Sequence, residues 1–372
     1  MLKRFIHNWE RKLATRDKNR VVRPFEWGLD HLNGAFEPKT KSSRNHSEIA
    51  MDDSEARSLI FEFNDSAIAN SDKFFSLSNP QQYELNGHWL SFDSPVQTPY
   101  PDNNTVYARY FPVNTRNGAG NGNGNGNGAK PHDEVRQAQG RAVLVLPQWN
   151  ADVDGHIAIC KLLNGMGIAA LRLSLPYHDR RMLTGFERAD YLVSSNVGRT
   201  LQGCQQAVLD SRAAIAWLER RGYDRIGILG TSIGSCISFL TFVHDQRIKA
   251  GVFNHVSSYF GDVVWVGMTT AHVRRGLETR LTREDVRKAW AAISPNSYVR
   301  RLAADTRPRL MISGRYDPSF TPELSELLFD ECERWGVPIE KRLVPCGHYT
   351  LGEFPFKYYV AYLIASSFRK HL

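Results

Sequence analysis

Residues 225–234 read Arg225-Ile226-Gly227-Ile228-Leu229-Gly230-Thr231-Ser232-Ile233-Gly234. An apolar run stops at Gly230-Thr231-Ser232-Ile233-Gly234, and a second apolar stretch, Cys236 to Val243, follows at once. The pattern predicts a strand, a sharp turn and a helix, with Ser232 at the apex. A serine hydroxyl is a poor nucleophile unless it is isolated, aimed and paired with a base, and such a turn does the aiming. The flanking glycines let strand and helix approach closely, and Ser232 is pushed toward a positive φ, a strain that persists where function requires it. Chance alone supplies G-x-S-x-G in some chains of this length, so the reading depends on what surrounds it.

Working outward, strands and helices alternate from Arg141 to the end of the chain. Apolar runs at Ala142–Leu146, Ile168–Leu173, Arg225–Leu229, Gly251–His255, Arg309–Ser313 and Lys341–Val344 read as strands. Helical patterns lie between them, notably Thr200–Arg221, and a further helix leads toward Leu163 with an Asp of Asp152-Val153-Asp154 as its cap. The alternation predicts an α/β fold with a mostly parallel central sheet flanked by helices, and ligands then bind beyond the carboxyl ends of the strands.

Ser232 follows such an end, and its partners are sought at later ones. Asp317 stands just past the strand Arg309–Ser313, in Gly314-Arg315-Tyr316-Asp317-Pro318. Asp262 is the alternative acid, but it opens an insertion rather than a tight turn. His348 follows the last strand in Pro345-Cys346-Gly347-His348, before a terminal helical segment Phe354–Leu372. Of twelve histidines, it alone is both downstream of Asp317 and next to a strand end.

With the order Ser232, Asp317, His348 on the page, the chain resembles the α/β-hydrolase superfamily over roughly residues 88–372. The resemblance rests on the elbow at Ser232, the Gly-Arg-Tyr-Asp turn and Gly347-His348. It looks most like the dienelactone-hydrolase and acetyl-esterase-like branch. It implies a serine hydrolase acting on carboxylic esters, with His348 as base, Asp317 as its orienting carboxylate and no cofactor. It further implies an oxyanion hole with one N–H from Ile233 and a second from the loop Pro147-Gln148-Trp149-Asn150, where Trp149 is the first choice and Gln148 the second. Proline has no N–H to offer. The His-Gly-Gly-Gly of many lipases and esterases is missing from this loop, which argues against the hormone-sensitive-lipase-like branch.

Substrate contacts are less defined. Residues 261–306 form a cap-like insertion in which Thr282–Ala292 reads as a helix. Tyr177, Arg180 and Arg181 follow another strand end; the two arginines either attract an anionic group or form a structural salt-bridge cluster. Tyr259, with Ser257 and Phe260, is similarly situated. No H-E-x-x-H, Walker loop or dinucleotide fingerprint occurs, so no metal is expected.

The remainder is an N-terminal, mostly helical extension, residues 1–87, and an Asn-Gly-rich loop at 114–130. Arg23–Gly28 reads as an extended, aromatic-rich link packed against something. The net charge is +8, yet residues 1–23 hold eight Lys or Arg against two acids. No broad basic face is left for nucleic acid. Leu2, Phe5, Ile6, Trp9 and Leu13 recur at helical spacing in that basic segment. The helix either packs on its own domain or across a homodimer, or it meets a membrane surface. The five cysteines are odd in number and form no C-x-x-C pair, and the first ten residues lack a signal-peptide pattern. Reduced thiols in the cytoplasm are the expectation.

Overall fold

The computed structural model describes residues 2–32, 52–77, 81–113 and 140–372. The expected Asn-Gly loop therefore lies outside the described residues. One sheet organises the chain, with strands β1 (Glu84–Asn86), β2 (Trp89–Asp93), β3 (Thr105–Phe111), β4 (Arg141–Leu146), β5 (Ala169–Leu173), β6 (Arg225–Thr231), β7 (Ile248–Asn254), β8 (Arg309–Gly314) and β9 (Glu340–Val344). Their order is β1-β2-β3-β5-β4-β6-β7-β8-β9. The pairs among β1, β2, β3 and β5 are antiparallel, and every pair from β5 through β4 to β9 is parallel.

The two sheet regions differ in sequence for a physical reason. β3, near one edge, alternates buried and half-buried residues from Thr105 to Phe111. β4, in the middle, is covered on both faces, so Ala142 to Leu146 are all buried. Its period of two still sorts the side chains: Ala142, Leu144 and Leu146 enter one core cluster, Val143 and Val145 the other. The helix Val197–Arg220 covers the first face and the terminal helix Phe356–His371 packs in the second cluster. Asn196 caps the former by accepting from Arg199 N at 2.8 Å, a contact worth about 1 kcal/mol.

The N-terminal extension is not a separate body. β1 already belongs to the sheet at Glu84, before the expected boundary at residue 87. Glu26 and Trp27 of the extended link receive backbone hydrogen bonds from Val197 and Gly198. The helix Asp53–Ala69 braces the insertion: buried Asn64 donates to Ala289 O and accepts from Ala292 N, both at 2.8 Å. That insertion folds as short helices, Phe260–Val266, Ala271–Leu277 and Arg283–Ala289. The last starts at a capping box between Thr282 and Asp285. The helix after β4 departs from expectation. It runs Ile157–Gly165 from His156, whose φ of 70° turns the chain without a side-chain cap. Asp152 instead accepts from Asp154 N in a local turn.

Candidate active site

β6 delivers Ser232 at its carboxyl end, and the buried helix Ile233–His244 leaves from it. Ser232 has φ 58° and ψ −121°, a conformation disfavoured for an L-residue that presents its Oγ at the apex. The turn is tight enough that a Cβ on Gly234 would lie 2.4 Å from Leu146 O and 2.5 Å from Pro147 O. The start of this helix therefore abuts the loop after β4.

Two further strand ends converge on the serine. Ser232 Oγ lies 3.1 Å from His348 Nε2, and His348 Nδ1 lies 2.9 Å from Asp317 Oδ2. Asp317, on the turn after β8, is fully buried at its side chain. Its other oxygen accepts from Ser319 N at 2.7 Å and Phe320 N at 2.8 Å. The Phe320 ring lies nearly parallel to His348, with centroids 5.1 Å apart and planes at 16°.

The electrostatics follow from these contacts. Burial disfavours charge on Asp317, but His348 and His255 more than offset it and hold the carboxyl well below the usual carboxylate range. Burial also opposes protonation of His348, yet Asp317 and then Glu10 outweigh it, so the imidazole sits above its ordinary 6.5. Only the neutral imidazole, favoured as pH rises through this raised value, can accept a proton.

The Ile233 N–H heads a helix, where the first N–H groups have no intrahelical partner. Trp149 lines the cavity above Ser232, and its indole is fixed by a 2.9 Å bond to Ala189 O and by stacking on His272. Gln148 shares that loop but does not line the cavity. The cavity has an empty volume of about 500 Å³, partly open to solvent. Phe260 and, from the insertion, Val263 and Val264 line it together with Cys236 and Phe320, and among the described residues no charged side chain lines it.

The other expected contacts sort differently. Tyr259 lines the cavity and accepts from Asn296 Nδ2 at 2.8 Å. Tyr177, Arg180 and Arg181 do not line it. Tyr177 is buried with φ 64°, against Tyr100 and Tyr191. Arg180 stacks over Trp89 at 3.8 Å. Arg181 is fully buried and bound to Asp210 at 2.7 Å, with Asn103 O taking two of its donors. Arg181 is thus held by internal partners, whereas Arg180 stands exposed beside the Trp89 ring. Asp262 is likewise buried under Arg283 and Arg287 of the insertion.

Two neighbours of the histidine escaped the sequence reading. His255, just past β7, is buried with φ 55°, and its Nδ1 lies 2.8 Å from Asp317 Oδ2, off the line of a hydrogen bond. Its place at a parallel strand's carboxyl end was the available signal. Among the described residues His255, Asp317 and His348 alone bring three potential metal-ligating atoms within 4.8 Å of one another. The alignment of His348 with both Ser232 and Asp317 is that of a hydrogen-bonded relay. The second neighbour, Glu10, comes from the opposite end of the chain.

No protein-family model matches the sequence, and neither does any curated protein. Solved structures do match in shape. Acylaminoacyl peptidase from Pyrococcus horikoshii superposes with a TM-score of 0.56 at 13% identity over 79% of this chain. An acetyl xylan esterase from a Paenibacillus species gives 0.55 at 14% identity, covering 84% of this chain and 94% of that one. Acetyl xylan esterase 1 from a Thermoanaerobacterium species gives 0.53 at 14% identity, covering 82% and 94%. The chain has the α/β-hydrolase fold. It spans 42% of the length of that peptidase. Among the described residues no helix is long and apolar enough to cross a membrane.

Proposed function

We propose that this chain is a serine hydrolase that cleaves small carboxylic esters through an acyl-enzyme on Ser232. One observation carries the reading: Ser232 Oγ, His348 and Asp317 form a continuous chain of 3.1 and 2.9 Å contacts, with the serine at a strained elbow. As Oγ attacks the ester carbonyl carbon, its proton passes to His348 Nε2. Asp317 keeps the Nδ1 proton in place and stabilises the imidazolium without taking that proton. The oxyanion is held by the Ile233 N–H and one from the Gln148-Trp149 loop, each donor contributing about 3 kcal/mol. Collapse expels the alcohol, which takes the proton from His348. Water then enters by the same base, and the acid leaves.

The uncharged cavity suits a neutral, apolar acyl group, and the fold neighbours named as esterases are consistent with this. A second reading, lipid acyl hydrolysis at a membrane surface, draws on Leu2 and Phe5, which stand 49% and 60% exposed on the basic N-terminal helix. A non-catalytic binding protein on the same fold is the third. Five free, buried cysteines suit a reducing compartment such as the cytoplasm.

Ser232→Ala, assayed with a chain-length series of nitrophenyl esters, tests the proposal. Turnover should fall to near background with the fold retained, and a fluorophosphonate should label only the wild type. Full activity in the variant would refute the assignment, and a folded wild type that resists labelling would favour the non-catalytic reading.

A further inference from the structure

The N-terminal helix Leu2–Ala14 buries one stripe, Ile6, Glu10 and Leu13. A carboxylate in such a stripe requires partners inside the protein. Glu10 is 0% exposed, and among the described residues it has no cationic partner within salt-bridge distance. Its oxygens instead accept from two successive backbone groups, Tyr349 N at 3.0 Å and Thr350 N at 2.7 Å. These are the residues immediately after His348. On the other side of the histidine, a Cβ on Gly347 would lie 2.5 Å from the Glu10 carboxyl carbon. The loop carrying the histidine is thus moulded on this carboxylate from both flanks, and Gly347 is the residue type that permits the approach.

We propose that Glu10 is a positioning residue for His348: its buried carboxylate, delivered by the N-terminal helix, fixes the histidine loop and faces the imidazole with negative charge. The helix is then a working part of the active site rather than an appendage. The inference rests on the serine-hydrolase reading. Among the described residues the other titratable groups around His348 include Asp317, His255, the buried Cys346 on the same loop, and Tyr349, whose hydroxyl meets Arg20 and Asp17. Glu10 adds to Asp317 in favouring the protonated imidazole.

The test uses the full chain with Glu10→Gln and Glu10→Asp. In Glu10→Gln the side chain keeps its shape but loses the charge, and its amide turns a donor toward one of the two N–H groups. The acid limb of kcat/KM for nitrophenyl acetate should move to lower pH, and plateau kcat/KM should fall about tenfold. Glu10→Asp should restore most of the limb position. The NMR titration of the His348 imidazole, recorded in a Ser232→Ala background, should move in the same direction. That readout needs no turnover, so hydrolysis surviving Ser232→Ala would sink the hydrolase reading while the titration still judges Glu10. An unchanged His348 midpoint in Glu10→Gln overturns the proposal, even if thermal stability drops. Should Glu10→Gln fail to fold, amide exchange in the wild type decides. Slow exchange at Tyr349 and Thr350 supports the contact, and exchange as fast as in exposed loops overturns it.

Discussion

Asp317→Asn gives the sharpest test of the relay, because the structure dictates how the new amide must sit. Asp317 Oδ1 accepts from Ser319 N and Phe320 N at 2.7 and 2.8 Å. An asparagine must leave its carbonyl oxygen there, since turning the NH₂ toward two N–H donors would lose both bonds at a buried site. The NH₂ is then forced into the Oδ2 position, facing His348 Nδ1. A donor at that position requires Nδ1 to be the acceptor. The imidazole proton moves to Nε2, which points at Ser232 and can no longer take its proton. The wrong tautomer costs about 10⁴ in kcat in serine hydrolases where only this exchange is made, roughly 5 kcal/mol of barrier. The measurement is kcat/KM on nitrophenyl acetate across pH, with thermal unfolding as a control for the fold. A loss smaller than about tenfold in a folded variant would refute the tautomer argument and point to His255 or another group as the partner of His348.

Further outcomes follow from the same contacts. The acid limb of kcat/KM should fall above 6.5, because Asp317 and Glu10 hold His348 above that value and only the neutral ring accepts a proton; a limb below 6.5 would contradict the electrostatics. By linkage, the stability that His348 contributes is fully present below 6.5 and is lost as pH rises through its raised folded value, so unfolding at several pH values should show that sign. Arg181→Met should cost about 3–5 kcal/mol, because it strands the buried Asp210, with KM little changed. Adding Asp210→Asn should recover part of that loss in denaturant unfolding. A change in KM without loss of stability would instead restore Arg181 as a ligand contact. Gly234→Ala should cripple turnover, since the new methyl overlaps Leu146 O and Pro147 O; a fully active variant would mean that the elbow is looser than described.

The strands at the centre of the sheet were legible because burial on both faces leaves near-continuous apolar runs, as in Arg141–Leu146 and Arg309–Gly314. β7 begins at Ile248, but its legible apolar run starts only at Gly251, because Lys249 interrupts that run at a position that stays exposed. Arg181 was ambiguous in the sequence for a related reason. Charge on a loop after a strand suggests ligand binding, whereas burial of Arg181 depends on Asp210, 29 residues away on a helix. Glu10 did leave a trace, as the acid in the apolar stripe Ile6–Glu10–Leu13 of a basic helix. Periodicity alone could not say what that stripe touched.

By itself the sequence determined the alternation of strands and helices, the elbow at Ser232 and the order Ser232, Asp317, His348. Those features come from turn chemistry and periodicity within a dozen residues or so, and each lies next to the strand end that carries it. Only the tertiary structure decided what surrounds the histidine and what lines the cavity. Glu10 meets Thr350 across 340 positions of chain, and His255, 62 residues before Asp317, meets that aspartate only when neighbouring strands bring their ends together. Such contacts arise from packing and burial between distant segments, which no local pattern of residues encodes.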